Sequence, residues 1–519
     1  MTSDGNERRA DTGKGSDGPK RQEPPVGHKK GNVAAGKEVF RFETFGNEGF
    51  WTDAARMPKG IEDKKVTPIQ ALEAGLIVDI DAVPADMREA MAKELATDMS
   101  PRNAPMLNDV KTTVKLIEAN AVVGMVPKDT NGDGTISIAS GDKVGVSCAI
   151  CHTISDKSVF DMPGKGSIGK RIDGPAALVL NMGKLLATAD NSRAVFPNLQ
   201  VEHEGKTIGR APKGLTEKST EAEVDAYLEN PAFYPVGTFD ETQDGHGNSV
   251  VNQPLFRQDL AAPYGSAGEH AILDGIGNGS YTTNLDPTTL VTPEGRQFLK
   301  LKAGKAGEDL ANAYQKILDE TGVKGYPFVK STKTGKVGDP ASPVGLRVDN
   351  QKLFDMNAYL DSLAAPRGAK VDARAFAAGR ETFRTNCTSC HNVDQSKFVP
   401  TMLVDMRTIM PSYAPMVLGQ RQPPMSPVQN SAGTFDDKMI VVDASDRGAK
   451  RGNALPMLLD LARKQVFLHD ASVNGLDALL DPQRGAAAPH PFYLAHGAAR
   501  RNVVEFLRGV DTERSGNTR

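Results

Sequence analysis

Cys387-Thr388-Ser389-Cys390-His391 carries residue types at a spacing that points directly to chemistry, and Cys148-Ala149-Ile150-Cys151-His152 repeats it in the first third of the chain. C-x-x-C-H is the attachment sequence of a c-type haem. Two thiols one helical turn apart reach the two vinyl groups of a porphyrin, and the adjoining histidine supplies the proximal ligand of the iron. All four cysteines of the chain are spent on these two motifs. Other readings fit less well. A zinc ribbon normally has its two C-x-x-C halves closer together. A redox-active dithiol has no need of a histidine directly after the second cysteine. The expected cofactors are therefore two covalently bound haem c groups, held by Cys148, Cys151, His152, Cys387, Cys390 and His391, with the two histidines as proximal iron ligands.

The elements that must position these motifs are read from periodicity. Residues 375–393 begin as a helical run with Phe376 and Phe383 on it and lead into the second motif. Helical spacing recurs at Ile69, Leu72 and Leu76, at Met87, Met91 and Leu95, and at Val110, Val114, Leu116 and Ile117. A further helix is expected through Leu178, Leu180, Met182, Leu185 and Leu186, packed against the first haem, and another through Leu310, Tyr314 and Ile317. Residues 353–366 and 502–511 read as amphipathic helices with aromatic-aliphatic pairs, Tyr359-Leu360 and Phe506-Leu507. Each would close one half of the chain by packing on the helix that leads into a haem motif. Trp51, the only tryptophan, is expected to anchor an N-terminal layer. The fold class expected is mainly α, with two cytochrome c-like haem domains, long loops and an added N-terminal helical layer. Residues 1–38 form a polar tail expected to be disordered, 39–366 the layer plus the first haem domain, and 367–519 the second haem domain.

Composition bounds the partners. The chain has 519 residues, 51 of them glycine and 33 proline, which fits long loops between modest helices. A formal charge of −3 makes nucleic acid or an anionic membrane surface an unsuitable partner. No stretch approaches the roughly 18 apolar residues of a membrane span. Residues 1–38 contain no apolar core of a signal peptide. Thiol–haem ligation nevertheless takes place on the outer side of the bacterial cytoplasmic membrane, so a periplasmic or otherwise exported protein is expected, its signal removed or its start mis-assigned.

Ahead of the first motif, Asp129-Thr130-Asn131-Gly132-Asp133-Gly134-Thr135 matches the front half of an EF-hand loop. Asp129, Asn131, Asp133 and Thr135 are the candidate calcium ligands. Ser140 stands where the bidentate glutamate is expected, with Asp142 two positions on. Calcium binding and a polar β-turn are equal alternatives.

The C-terminal part resembles the second haem domain of the bacterial di-haem cytochrome c peroxidase superfamily, which includes di-haem oxidases and rubber oxygenases. The resemblance runs from the second haem motif through Pro456, Leu458, Phe467, Leu468, His469, Asp470, Ser472 and Leu476 to the last helix, over roughly the final 140 residues. It implies a distal ligand a dozen or so residues after the His469-Asp470 loop. The family's methionine is missing there, and His490 is the first imidazole downstream. The tryptophan that the family carries near the path between its haems is also missing, Tyr264 being the nearest aromatic.

A haem with two strong axial ligands transfers electrons, whereas an open sixth position can bind peroxide or oxygen. For the second iron the distal candidates are His490 first, then Met425, with His496, Met410, Met416 and Met439 behind them. For the first iron they are Met182 and Met162. His270, in the long loop after residue 234, is a candidate proton-transfer group if it approaches an open iron face, and otherwise a hydrogen-bonded loop histidine. The function expected is a di-haem c-type cytochrome carrying single electrons between a redox protein donor and an acceptor. The alternative is a di-haem peroxidase or oxidase acting on hydrogen peroxide or an oxygen-derived small-molecule oxidant.

Overall fold

The computed structural model describes residues 31–203, 206–207, 211–240, 249–256, 258, 264, 270, 272–387, 401–405, 439–443, 458–468, 471, 473–483 and 493–515. These are about 47% helical and 11% strand, so the chain is mainly α. Helical structure is present before the expected Val39. Helix α1 spans Val33–Phe42, because the Asn32 side chain caps the Ala35 N–H and the Asn32 N–H donates 2.7 Å to Asp355 Oδ1.

Helices α2 (Met57–Asp63), α3 (Pro68–Glu73), α4 (Ala85–Leu95) and α5 (Val110–Glu118) follow. Thr67 and Gln70 form a capping box on α3, and Pro68 occupies its first turn, where a missing N–H costs nothing. Strand β1 (Ile77–Asp79) takes Leu76's neighbours out of the helical run. The hairpin β2 (Met125–Lys128) and β3 (Lys143–Val146) then delivers the chain to α6 (Ala149–His152), which with its N-cap Cys148 is the first C-x-x-C-H sequence. Beyond it, β4 (Thr153–Ser155) pairs antiparallel with β7 (Arg171–Asp173). Between them β5 (Phe160–Asp161) and β6 (Ser167–Gly169) join β1 in a three-stranded sheet, in the order β1-β6-β5.

Helix α7 is Met182–Thr188. Leu178 and Leu180, expected in the same helix, precede it, because the Asn181 side chain caps the Lys184 N–H and starts the helix there. Then come α8 (Glu221–Glu229), α9 (Leu273–Gly279), α10 (Pro293–Ala303), α11 (Lys305–Glu320) and α12 (Asn350–Ser362). One large apolar cluster joins Trp51, Leu72, Met91, Leu116, Ile150, Met182 and Tyr314. Trp51 thus anchors the layer, as expected of it. A second cluster gathers Val39 and Phe40 of α1, Ala149 of the motif, Tyr281, and Leu353, Met356 and Tyr359 of α12.

The extended link after α12 leads to α13 (Ala373–Asn386), which packs on the terminal helix Gly497–Ser515. Phe383, Leu458, Phe467, Leu476, Val503 and Phe506 form a third cluster there. Leu458, Phe467 and Leu476 are residues that carry the family resemblance. A two-residue ladder, Val466–Phe467 against Val473–Asn474, brackets the loop in which His469 and Asp470 lie outside the described residues.

Candidate functional site

The two halves close with the same device. In α1, Gly36 lies so close to α12 that a Cβ would sit 1.8 Å from the Asp355 carbonyl oxygen; in α13, a Cβ on Gly379 would sit 1.9 Å from that of Asn502. Four residues on, Phe40 meets Tyr359 with ring centres 5.7 Å apart, and Phe383 meets Phe506 at 5.2 Å. The sequence records the repeat: Ala34-Ala35-Gly36-Lys37-Glu38-Val39-Phe40-Arg41 against Ala377-Ala378-Gly379-Arg380-Glu381-Thr382-Phe383-Arg384. Helix α1 therefore belongs to the first half's helix pair rather than to a tail or an outer layer.

The halves differ in how the motif follows its helix. Cys387 caps α13 directly, its N–H donating 2.8 Å to the Phe383 carbonyl. In the first half residues 43–147 intervene, yet the chain returns to the same place. Ser147 Oγ donates 2.8 Å to the Arg41 carbonyl at the end of α1, so Cys148 follows α1 in space. The two ends of the intervening segment are joined to each other. Asn47 Nδ2 donates 2.8 Å to the Val146 carbonyl, the Val146 N–H donates 2.9 Å to Asn47 Oδ1, and the Val144 N–H donates 2.9 Å to Thr52 Oγ1. The expected N-terminal layer is thus an insertion within the first half.

Asp173 fastens this arrangement. Its carboxylate accepts from Arg41 Nε of α1 at 2.6 Å, from Tyr359 Oη of α12 at 2.7 Å, and from Thr153 Oγ1, the residue after the motif, at 3.1 Å. Burial and the bond to Asp173 push the Tyr359 phenol above its ordinary range, so it remains a donor.

Within the motif, His152 Nδ1 lies 2.8 Å from the Gln253 carbonyl oxygen. A carbonyl only accepts, so Nδ1 carries the proton and Nε2 has the free lone pair. The side chains of Cys148, Cys151 and His152 keep partial solvent access but lie deep in the fold. Burial lowers the His152 imidazole to about 4, leaving it neutral at pH 7, as an iron ligand must be. Burial raises the Cys151 thiol to about 12 and pushes Cys148 up as well. Both sulfurs are therefore held as neutral thiols by their burial. Cys148 Sγ lies 3.3 Å from Tyr281 Oη and 3.9 Å from Met356 Sδ. The donor set fits a thiol-linked haem, with Cys148 and Cys151 to hold the vinyl carbons and His152 Nε2 to hold the iron. Bound there, the haem would supply a one-electron couple.

The other expected residues are placed as follows. Met182 opens α7, is 3% exposed and packs in the large apolar cluster. His270 forms a backbone bridge with Tyr264 and rests on α9, where a Cβ on Gly275 would lie 3.4 Å from its Nδ1 and one on Gly279 3.4 Å from its Cε1. Gly277 of α9 lies beside Met356, and Tyr281, in the turn Ser280–Asn284 that follows α9, reaches Cys148. His496 is exposed at the start of the terminal helix. Cys390, His391, Met425 and His490 lie outside the described residues. Asp129 accepts from the N–H groups of Gly132 and Gly134, Asn131 from that of Asp133, and Asp133 from that of Thr135. Asp142 accepts from Thr130, Asn131 and Ser137. These side chains fold the loop on its own backbone, and among the described residues no group of three or more His, Cys, Asp or Glu is arranged to hold a metal ion. Also among them, no helix is long and apolar enough to cross a membrane.

No family model, curated protein or solved structure matches the chain. Its function is read from its own residues.

Proposed function

We propose that this chain is an exported di-haem c-type cytochrome that relays single electrons between redox proteins. Cys148, Cys151 and His152 hold one haem, and Cys387, Cys390 and His391 the other. The observation that carries the reading is the Gln253 carbonyl on His152 Nδ1, at 2.8 Å. Such a bond fixes the tautomer and ring orientation of a metal-bound imidazole and raises its basicity. The bond leaves Nε2, with its lone pair, as the nitrogen that can meet an iron. The two helix pairs, alike in sequence and packing, support the same assignment for both halves. His490 is the distal ligand that we assign to the second iron, giving a low-spin centre suited to electron transfer.

The test is expression with a haem-ligation system, followed by intact mass and electron paramagnetic resonance of the oxidised protein. Two haem masses that survive denaturation and two low-spin signals are expected. Absence of covalent haem would overturn the assignment, and a stoichiometric high-spin signal would replace the relay by the peroxidase or oxidase alternative. His490→Ala should convert the second centre to high spin.

A further inference from the structure

The two halves meet at the residue that orients His152. Lys464 belongs to the C-terminal half, two residues before the Val466–Phe467 strand, and its Nζ lies 3.4 Å from Gln253 Oε1. Gln253 is otherwise fixed from its own half. Its Nε2 donates 3.0 Å to the Val251 carbonyl, the Asn252 N–H donates to Gly237, and the Leu255 N–H donates to Gly174, directly after the strand that pairs with the residues following the motif. Among the described residues the apolar cluster around α13 contains only C-terminal residues. Lys464 is held in place by Phe467, over whose ring the ammonium stands at 5.8 Å, and it faces Asp460, which pairs with Arg463.

We propose that Lys464 is a positioning residue through which the C-terminal half sets the reduction potential of the haem on His152. This rests on the haem assignment made above. The lysine acts in two ways, of which its charge sets the sign: it raises the potential, and a firmer carbonyl bond to Nδ1 opposes this only weakly because Gln253 is already fixed by its own half. Its charge lies two hydrogen bonds from the imidazole, in a region of reduced dielectric, where a cation favours the iron state with one positive charge fewer. Its bond to the Gln253 side chain also stiffens the segment that presents the carbonyl to Nδ1, as outer-shell partners of ligating histidines do. Burial lowers the Lys464 ammonium to about 8, so the group is still mainly charged at pH 7. The placement makes the potential of one centre depend on the docking of the other half.

Optical redox titration at pH 7 of the full haem-loaded chain tests this, with Lys464→Met, Lys464→Gln and Lys464→Arg beside wild type. Lys305→Met, which removes an exposed charge paired with Asp309, is the control. One of the two midpoints should fall in the Met and Gln variants, stay near wild type in the Arg variant, and be unmoved in the control. The low-spin resonance of the same centre should change in shape in the Met variant, because the imidazole is held less firmly. Covalent haem with both midpoints unchanged in Met and Gln variants overturns this assignment alone. A fall in the Arg variant as large as in the Met variant would do the same. Wild type without covalent haem would remove the haem assignment first, and this one with it.

Discussion

Replacing Gly379 by alanine puts a methyl carbon 1.9 Å from the Asn502 carbonyl oxygen, 2.5 Å from its carbon and 2.9 Å from Phe506 Cβ. Ordinary contact begins at 3.4 Å, so α13 and the terminal helix must separate by about 1.5 Å. Two of the three obstructing atoms are backbone, and no rotamer change relieves them. A gap of that size forfeits a quarter or more of the dispersion energy between Phe376, Phe383 and Phe506. Overpacking of this kind costs about 1–3 kcal/mol, here towards the upper end, against about 1 kcal/mol gained from replacing glycine in a helix interior. The net loss is about 2 kcal/mol, or about 4–8 °C in melting temperature for a unit of this size. Gly497, in the first turn of the terminal helix, has its nearest neighbour at 3.5 Å, the flexible end of Arg501. Gly497→Ala should therefore be neutral or stabilising by up to about 1 kcal/mol. Thermal unfolding followed by circular dichroism distinguishes the two. A Gly379→Ala protein that melts at or above wild type would refute the close approach of the helices.

Asp173→Ala removes a buried carboxylate whose side chain is 1% exposed and leaves Arg41 without that ion partner. Breaking such a pair costs about 3–5 kcal/mol, and chemical denaturation should show a midpoint shift of that size; a loss below 1 kcal/mol would mean that the carboxylate does not join α1 to α12. For Glu43 burial acts to raise the carboxyl pKa, but bonds from the Lys352 ammonium and the Phe45 N–H outweigh it and hold the group below its ordinary value. The stabilisation is present above the unfolded-state pKa and disappears as pH falls through the folded one. Melting temperatures of wild type and Glu43→Gln should accordingly differ at neutral pH and converge in acid, and parallel curves down to pH 3 would contradict this.

The two C-x-x-C-H motifs were legible in the chain, because they are local patterns and need no fold to be recognised. The helices around Leu72, Met91, Leu116 and Tyr314 were legible for the same reason, their apolar residues recurring every three or four positions. Strands of two to four residues are too short to show alternation, so β1 to β7 left no trace. The partner of His152 could not be read at all: it is a backbone carbonyl, which every residue has, brought near by bonds to Gly174 and Gly237. Asp173 is one aspartate among many until three elements converge on it. The membership of α1 in the first half was written in the repeated Ala-Ala-Gly-x-Glu-x-Phe-Arg, but 343 positions separate its two copies and only one leads directly into a motif.

The pairing of α1 with α12 also dictates an order of folding. Asn32 and Asp355 are 323 residues apart, so α1 leaves the ribosome long before its partner exists. At synthesis rates of about 5–20 residues per second, that interval is roughly 15–65 s. The insertion can meanwhile close on itself, since Asn47 and Val146 join its ends, and Phe40 can meet Ile77, Val123 and Ala149, but it lacks Tyr359 until α12 arrives. Contacts to Ser147 and Asp173 shorten the loop that the late pairing with α12 must close. A fragment that stops before residue 350 should therefore keep a folded insertion beside a first helix held only through Arg41 and Phe40, and protection of the N-terminal end of α1 from protease should rise when α12 is included.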